Sequence, residues 1–114
     1  MSSPSDFSKL CIHTITTKPW SIEEAMDKYA AAGVAGITVW RQSLADRKIE
    51  RIGDQLRERN LEITSLCRGG FFPAKTAKGL SEAIAENRLA IREAAALGAP
   101  MIVLVCGAVP GQSL

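Results

Sequence analysis

Short apolar runs and longer amphipathic stretches alternate along the chain. Residues 9–15, 36–40, 61–67 and 101–106 are rich in apolar and β-branched side chains, which is typical of β-strands. These runs lack the strict alternation of polar and apolar positions that marks a strand with one solvated face. They therefore favour a sheet that is covered on both faces. Residues 68–73, which follow the third run, are predicted to form a loop.

The stretches between the predicted strands repeat apolar side chains at helical spacing. The first helix is predicted to begin at Ser21, which has capping-box spacing to Glu24, and to end at Gly33. The second covers residues 46–60, a charged segment with an apolar stripe. The third helix ends before Gly98 and Pro100. Its predicted inner face consists of Leu80, Ile84, Asn87, Ile91 and Ala94. Asn87 interrupts that apolar face, and a loop carbonyl is the hydrogen-bond partner we expect for it.

Strands that alternate with helices predict a parallel sheet with right-handed crossovers, and therefore an α/β fold. This pattern alone fits an open sheet as well as a barrel. A (β/α)₈ barrel typically needs about 250 residues. Residues 9–114, with four strands and no helix after the last of them, are slightly under half of that length, and residues 1–8 are predicted to be a flexible lead. The two free sheet edges favour pairing with the missing half of the barrel or with a second copy.

Composition and charge narrow the classes of function. The 114 residues include 14 Lys and Arg against 12 Asp and Glu, a formal net charge of +2, with 5% aromatic residues. This balance argues against a nucleic-acid partner. No apolar run approaches the roughly 18 residues that span a bilayer, so no membrane partner is expected, and the N-terminal segment lacks the apolar region of a signal peptide. Three cysteines without a CxxC pair then indicate a reducing, cytoplasmic setting.

Four segments, LCIHTITTKPW, AAAGVAGITVWRQ, ITSLCRGGFFP and AAALGAPMIVLVCGAVPG, resemble the sugar phosphate isomerase/epimerase family, a xylose-isomerase-like group of TIM barrels. The resemblance covers nearly the whole chain from Lys9 onward, and it implies that residues 9–114 are the first three βα units plus the fourth strand of a TIM barrel, truncated before its fourth helix. It implies a metal-dependent enzyme that moves protons on sugars or small hydroxy-carbonyl compounds. The divalent ion of such an enzyme is held by Glu, Asp, His and Glu near the ends of later strands. None of those positions can be carried onto this sequence, so the catalytic residues and metal ligands are expected beyond Leu114. This chain is expected to supply substrate-binding residues.

In an α/β barrel the active site forms at the carboxyl ends of the strands, and several candidate side chains lie there. His13 ends the first strand, where its near-neutral pKa suits proton transfer or a hydrogen bond to a substrate hydroxyl. The alternative is a buried histidine bonded to the backbone. Arg41 and Arg68 end the next two strands and could bind a phosphate or carboxylate in a bidentate manner. Alternatively, either arginine pairs with an acidic side chain of a helix.

Aromatic and glycine residues complete the candidate substrate-binding set. Trp20 lies in the first βα loop and is predicted to form a pocket wall, while Trp40 forms either the floor of a sugar site or part of the core. Gly69 and its neighbour Gly70 can present backbone amides to an anion. The two phenylalanines that follow form either a lid or a plug at the rim. Cys67 and Cys106 are predicted to lie on adjacent strands as small buried core residues, with a disulfide or redox pair as the alternative.

Two other functions stay open at this point. The chain could be a small non-enzymatic α/β module that self-associates, because pairing of two half-barrels would bury the free sheet edges. It could also be an inactive truncated product.

Overall fold

The computed structural model describes residues 6–108 of the chain; residues 1–5 of the predicted lead and residues 109–114 lie outside the described residues. The strands are β1 (Cys11–His13), β2 (Gly36–Trp40), β3 (Glu62–Gly70) and β4 (Ile102–Val105). The α-helices are α1 (Ile22–Ala31), α2 (Ile49–Glu58) and α3 (Ala77–Leu97). Short 3₁₀ turns follow β1 at Thr14–Thr17 and β2 at Arg41–Leu44.

The four strands form one parallel sheet in the order β1-β2-β3-β4. A helix joins each strand to the next, which confirms the predicted α/β fold. The register shifts between Ile37 and Thr38 in β2, and again between Cys67 and Gly69 in β3. Because all four strands run in the same direction, their carboxyl ends meet at one edge of the sheet.

Local interactions explain why α1 begins and ends where the sequence predicts. The Ser21 hydroxyl accepts a hydrogen bond from the Glu24 backbone N–H at 3.1 Å, which satisfies one free amide of the first turn. Gly33 adopts φ +79°, the left-handed conformation that favours glycine after a helix. The inner face of the helix, Ile22, Ala25, Met26 and Tyr29, is buried. This face anchors α1 against the sheet.

The two faces of the sheet differ in chemistry. The core lies on the helix side, where Ile37, Val39 and Leu66 are fully buried. Thr38, which alternates with Ile37 and Val39, points to the opposite face. There its hydroxyl lies 2.9 Å from that of Thr64 and 3.1 Å from that of Ser65. In the described part of the chain no helix covers this second face, so the two-sided cover that the apolar runs predicted is not present.

Several predicted element boundaries differ from those of the structure. The apolar run of residues 9–15 is strand only over Cys11–His13, and β1 ends at the predicted strand-end residue His13, because the chain there turns into a 3₁₀ helix capped by the His13 side chain. The predicted loop at residues 68–73 is strand as far as Gly70, because β3 continues its pairing with β4. The second helix begins at Ile49 instead of residue 46, since Asp46 has φ +63° and cannot continue a right-handed helix.

The predicted inner face of α3 is only partly correct. Asn87 and Ala94 are buried as expected, together with Ala90 and Leu97. The other predicted members are exposed: Leu80 (46%), Ile84 (38%) and Ile91 (59%). These three side chains lie along a second apolar face of α3, for which the described residues provide no neighbouring helix.

Glycine permits a close approach between α2 and α3. A Cβ atom at Gly53 would collide with the carbonyl oxygen of Leu97. The Arg57 guanidinium donates a hydrogen bond to the same carbonyl at 3.2 Å. The glycine that weakens α2 as an isolated helix therefore allows it to pack against α3.

Asn87 holds the end of β3 against α3. Its side-chain oxygen accepts a hydrogen bond from the Gly70 N–H at 2.6 Å, and its side-chain nitrogen donates to the Gly70 carbonyl at 2.7 Å. The same nitrogen also donates to the Ala83 carbonyl at 2.8 Å. The buried amide is thus fully paired with backbone groups. The backbone partner predicted for Asn87 is present, but Gly70 belongs to a strand instead of a loop.

Replacement of Asn87 by alanine removes the side-chain partner of both Gly70 backbone groups. We expect the free energy of unfolding to fall by about 2–4 kcal/mol, because each buried group left unpaired costs about 1–3 kcal/mol. Urea denaturation followed by circular dichroism measures the change. Arg88→Ala, at the exposed neighbouring position of α3, is the control and should change it by less than about 0.5 kcal/mol. Equal stability of the two variants would contradict the role assigned to Asn87.

Candidate functional site

Two cavities lie at the carboxyl edge of the described sheet, and together they are lined by five of the six predicted substrate-binding residues. The larger cavity, about 580 Å³, lies between the turn after β2, the end of β3 and the helix α3, and Arg41, Arg68 and Gly69 line it. The smaller one, about 240 Å³, is lined by Trp20 and Trp40, and we call it the indole cavity. His13 lines neither of them.

His13 is half-buried at the end of β1, and its ring is already hydrogen-bonded. Its Nδ1 accepts a hydrogen bond from the Ile15 backbone N–H at 3.0 Å. In the neutral ring the proton must therefore lie on Nε2, which stays available as a donor. Burial lowers the pKa of His13 from its ordinary value. The backbone-bonded alternative is thus correct for Nδ1, and any role toward substrate belongs to Nε2.

Arg41 is occupied by acidic side chains of α3. Its Nε donates to a carboxylate oxygen of Glu93 at 2.5 Å, and its Nη2 lies 2.8 Å from Glu86. These carboxylates raise the pKa of Arg41, with the Glu93 hydrogen bond as the largest cause. Its Nη1 also donates to the Arg68 carbonyl at 3.4 Å. Because its charge is matched within the protein, Arg41 follows the alternative prediction, that of pairing with a helix.

Arg68 is the guanidinium of this edge that stays without an acidic partner. Its guanidinium carbon lies 4.6 Å from the centroid of the Phe71 ring, a cation–π contact. Within residues 6–108 no carboxylate lies at ion-pairing distance from it. Phe71 and Phe72 are both exposed, at 43% and 41%. Arg68 is therefore free to contact an anion, and the aromatic pair is not a buried plug.

Gly69 has a structural reason to be glycine. A Cβ atom at this position would lie 2.8 Å from the side-chain oxygen of Asn87. Gly69 and Gly70 are paired with Leu104 and Val105 of β4. The Gly70 N–H is occupied by Asn87, so the predicted pair of free amides for an anion is not present.

The indole cavity lies between the loop after β1 and the turn after β2. Each indole carries a lysine: the Lys18 Nζ lies 5.7 Å from the Trp40 ring centroid, and the Lys28 Nζ lies 4.2 Å from that of Trp20. Gln42 lines both cavities. Sequence reasoning missed Lys18 and Gln42, since nothing in the chain order shows that they come together at the indoles. The one available signal was the position of Lys18 directly before Pro19 and Trp20.

The remaining reactive groups form no centre in the described part of the chain. Among residues 6–108 no group of three His, Cys, Asp or Glu side chains could hold a metal ion. The three cysteines are free, and Cys106 is exposed while Cys67 is half-buried, which corrects the expectation of buried core thiols. Burial raises the pKa of the Cys67 thiol. No described helix combines the length and apolar character that crossing a membrane requires.

Comparison with known proteins relates this geometry to a family. The family model described as xylose isomerase-like TIM barrel matches residues 26–114. The chain superposes on the crystal structure of protein SMc04130 from Sinorhizobium meliloti 1021 with a TM-score of 0.85 and 40% sequence identity, over 95% of this chain and 40% of that one. The chain thus spans 40% of the length of that relative. No curated protein matches it significantly.

Two more distant structures share the fold. A xylose isomerase-like TIM barrel/4-hydroxyphenylpyruvate dioxygenase fusion protein gives a TM-score of 0.74 at 15% identity, covering 84% of this chain and 16% of that one. The probable 3-DHS dehydratase AsbF, involved in petrobactin synthesis in Bacillus anthracis, gives 0.70 at 20% identity, covering 87% and 38%. At these identities the likeness shows the fold alone. It confirms the predicted fold, a parallel α/β sheet consistent with part of a TIM barrel.

The neutral state of His13 can be tested by titration. Because the folded chain disfavours the charged ring, we expect its pKa to lie below the ordinary value of 6.5. The unfolded state then binds more protons, so the contribution of His13 to stability is complete above its unfolded pKa and is lost as the pH falls through the folded one. The chain has one histidine, so NMR titration of its ring proton reads the pKa directly. The urea-unfolded chain supplies the reference, and an equal or higher folded pKa would refute this expectation.

The occupied state of Arg41 predicts a loss of stability on truncation. We expect Arg41→Ala to lower the free energy of unfolding by about 2 kcal/mol, because hydrogen bonds to charged groups contribute about 1.5–3 kcal/mol and this pair is partly exposed. Urea denaturation measures it. Arg51→Ala on the exposed side of α2 is the matched control. If both variants unfold at the same urea concentration, Arg41 does not hold α3 in place.

Proposed function

The chain belongs to the xylose isomerase-like TIM-barrel family, and on that premise we propose that it forms the substrate-binding front part of a TIM-barrel isomerase or epimerase. The substrate is a small sugar or hydroxy-carbonyl compound. The single observation that carries the proposal is the position of His13, Trp40 and Arg68 at or near the carboxyl ends of three adjacent parallel strands, along the same edge of the sheet. In barrels of this kind substrates bind at that edge.

Each of these residues has a distinct task in the proposed site. Trp40 offers an aromatic face on which the C–H groups of a sugar pack. The Nε2–H of His13 donates a hydrogen bond to a substrate hydroxyl or carbonyl oxygen, since Nδ1 is held by the backbone. Arg68 contacts a negatively charged or carbonyl oxygen, because no carboxylate of the described chain neutralises it. Together they bind and orient the substrate.

A divalent metal ion is the cofactor that the family resemblance implies. The described residues do not fit it, because they contain no suitable cluster of three potential ligands. We therefore derive no step through a metal ion at this part of the chain. The ligands and the catalytic base belong, in this proposal, to the rest of the barrel.

Two further features support parts of the proposal. The free cysteines are consistent with a reducing cytoplasmic setting. Large apolar side chains on the outer face of α3 and on β4 are exposed, with Ile91 and Leu104 both at 59%. Such a surface favours a partner, which is either the other half of the barrel or, in the alternative function as a non-enzymatic module, a second copy of this chain.

The proposal is tested on the longest natural product that contains this chain. We expect metal-dependent isomerase or epimerase activity on small sugars. KM should rise about 10-fold in His13→Ala and in Arg68→Ala, because each variant loses one hydrogen bond to a charged or polar partner. Steady-state kinetics with and without a chelator measures both. Arg51→Ala is the control for Arg68→Ala. Unchanged KM in both variants would remove the site assignment.

A folded, inactive dimer of the 114-residue chain would favour the alternative function as a non-enzymatic, self-associating module.

A further inference from the structure

The indole cavity carries an uncompensated positive charge. The residues that line it include two cations, Lys18 and Arg47, and no carboxylate. Arg47 is matched by Glu23 through two hydrogen bonds, of 2.7 and 3.0 Å. No carboxylate within residues 6–108 lies at ion-pairing distance from Lys18. Lys18 is therefore the charge that an incoming ligand would meet.

The contact with Trp40 keeps the ammonium group of Lys18 close to the cavity. Its Nζ lies 5.7 Å from the Trp40 ring centroid, within the range of a cation–π interaction. Lys28 provides an internal comparison, since it lies over the second indole, Trp20, at 4.2 Å. Lys28 differs in two respects: it pairs with Glu24 at 3.8 Å, and it does not line the cavity. Of the two stacked lysines, Lys18 is the one placed to bind an anion.

We propose that Lys18 and the two indoles form a subsite for the anionic end, carboxylate or phosphate, of a small polyhydroxylated substrate. The inference rests on the proposed function and assigns recognition of the anionic end of its substrate to Lys18. The cavity of about 240 Å³ equals the volume of about eight water molecules at roughly 30 Å³ each, which suits a short carbon chain. The indole faces contact its C–H groups, and Lys18 makes a charge-assisted hydrogen bond to its oxyanion.

This assignment moves anion recognition away from the residues that the sequence favoured. The charge of Arg41 is matched by Glu86 and Glu93, and the Gly70 N–H already donates a hydrogen bond to Asn87. Arg68 is unpaired but lines the other cavity. Lys18 combines an unpaired charge with an apolar wall on which the carbon chain of the same ligand can pack.

The chain contains its own reporter for this subsite. Both of its tryptophans line the cavity, so a ligand bound there changes the intrinsic fluorescence. We would titrate the chain with erythritol, D-erythronate and erythritol 4-phosphate, which present the same carbon chain with no charge, a carboxylate or a phosphate. We expect saturable quenching by at least one anion, with a Kd at least about 10-fold below that of erythritol, as one charge-assisted hydrogen bond provides. The two anions distinguish carboxylate from phosphate recognition.

Lysine variants test whether the charge of Lys18 contributes to anion binding. Lys18→Gln should raise the Kd of the anion about 10-fold, Lys18→Arg should retain tight binding, and Lys28→Gln is the matched control and should bind like the parent chain. Added salt should weaken anion binding. Circular dichroism verifies that each exposed-site variant is folded. Equal quenching by erythritol and the anions, an unchanged Kd in Lys18→Gln, or no saturable quenching by either anion would overturn the proposal.

The same measurements keep this inference distinct from the proposed function. If erythritol binds as tightly as the anions, and its Kd does not change in Lys18→Gln, the anionic subsite is refuted. The proposed function then still stands for a neutral sugar. Binding of an anion through Lys18, together with a longest natural product that has no isomerase or epimerase activity, would support the subsite and refute the proposed reaction.

Discussion

The three hydrogen bonds of the buried Asn87 amide are the constraint on which the carboxyl edge of the sheet depends. A buried amide left unpaired is costly, so α3 and the end of β3 must meet at Gly70. This meeting continues β3 through residues that look like a loop in the sequence. It also brings Arg68 to the wall of the larger cavity and requires glycine at position 69, where a side chain would meet the amide oxygen.

A second constraint acts through charge. The acidic side chains of α3 reach across to Arg41, and Arg41 in turn contacts the carbonyl of Arg68. A cation at a strand end is therefore not by itself an anion site, because its charge can be matched by the helix that packs beside it. Among the described residues, Arg68 and Lys18 at this edge have no carboxylate at ion-pairing distance. They line different cavities.

The sheet has an apolar face on the helix side and a second face that carries a cluster of hydroxyl groups. Helices cover the apolar face and form the core, whereas Thr38, Thr64 and Ser65 form a hydroxyl cluster on the other. In a closed barrel the second face is the interior, where side chains from all strands meet. Large apolar side chains of α3 and β4 are exposed, and in the proposed complete barrel a further βα unit would cover them.

The sequence by itself determined the order of strands and helices, the parallel fold, the cap of α1 at Ser21 and the need of Asn87 for a backbone partner. These follow from local periodicity and from the hydrogen-bonding requirements of single residues. Only the tertiary structure decided that β3 continues to Gly70, that Arg41 is occupied, and that Lys18 meets Trp40. Each of these depends on a contact between residues at least 17 positions apart. Periodicity along the chain carries no information about which distant side chains become neighbours, so the occupancy of a charge and the lining of a cavity are properties of the packed molecule.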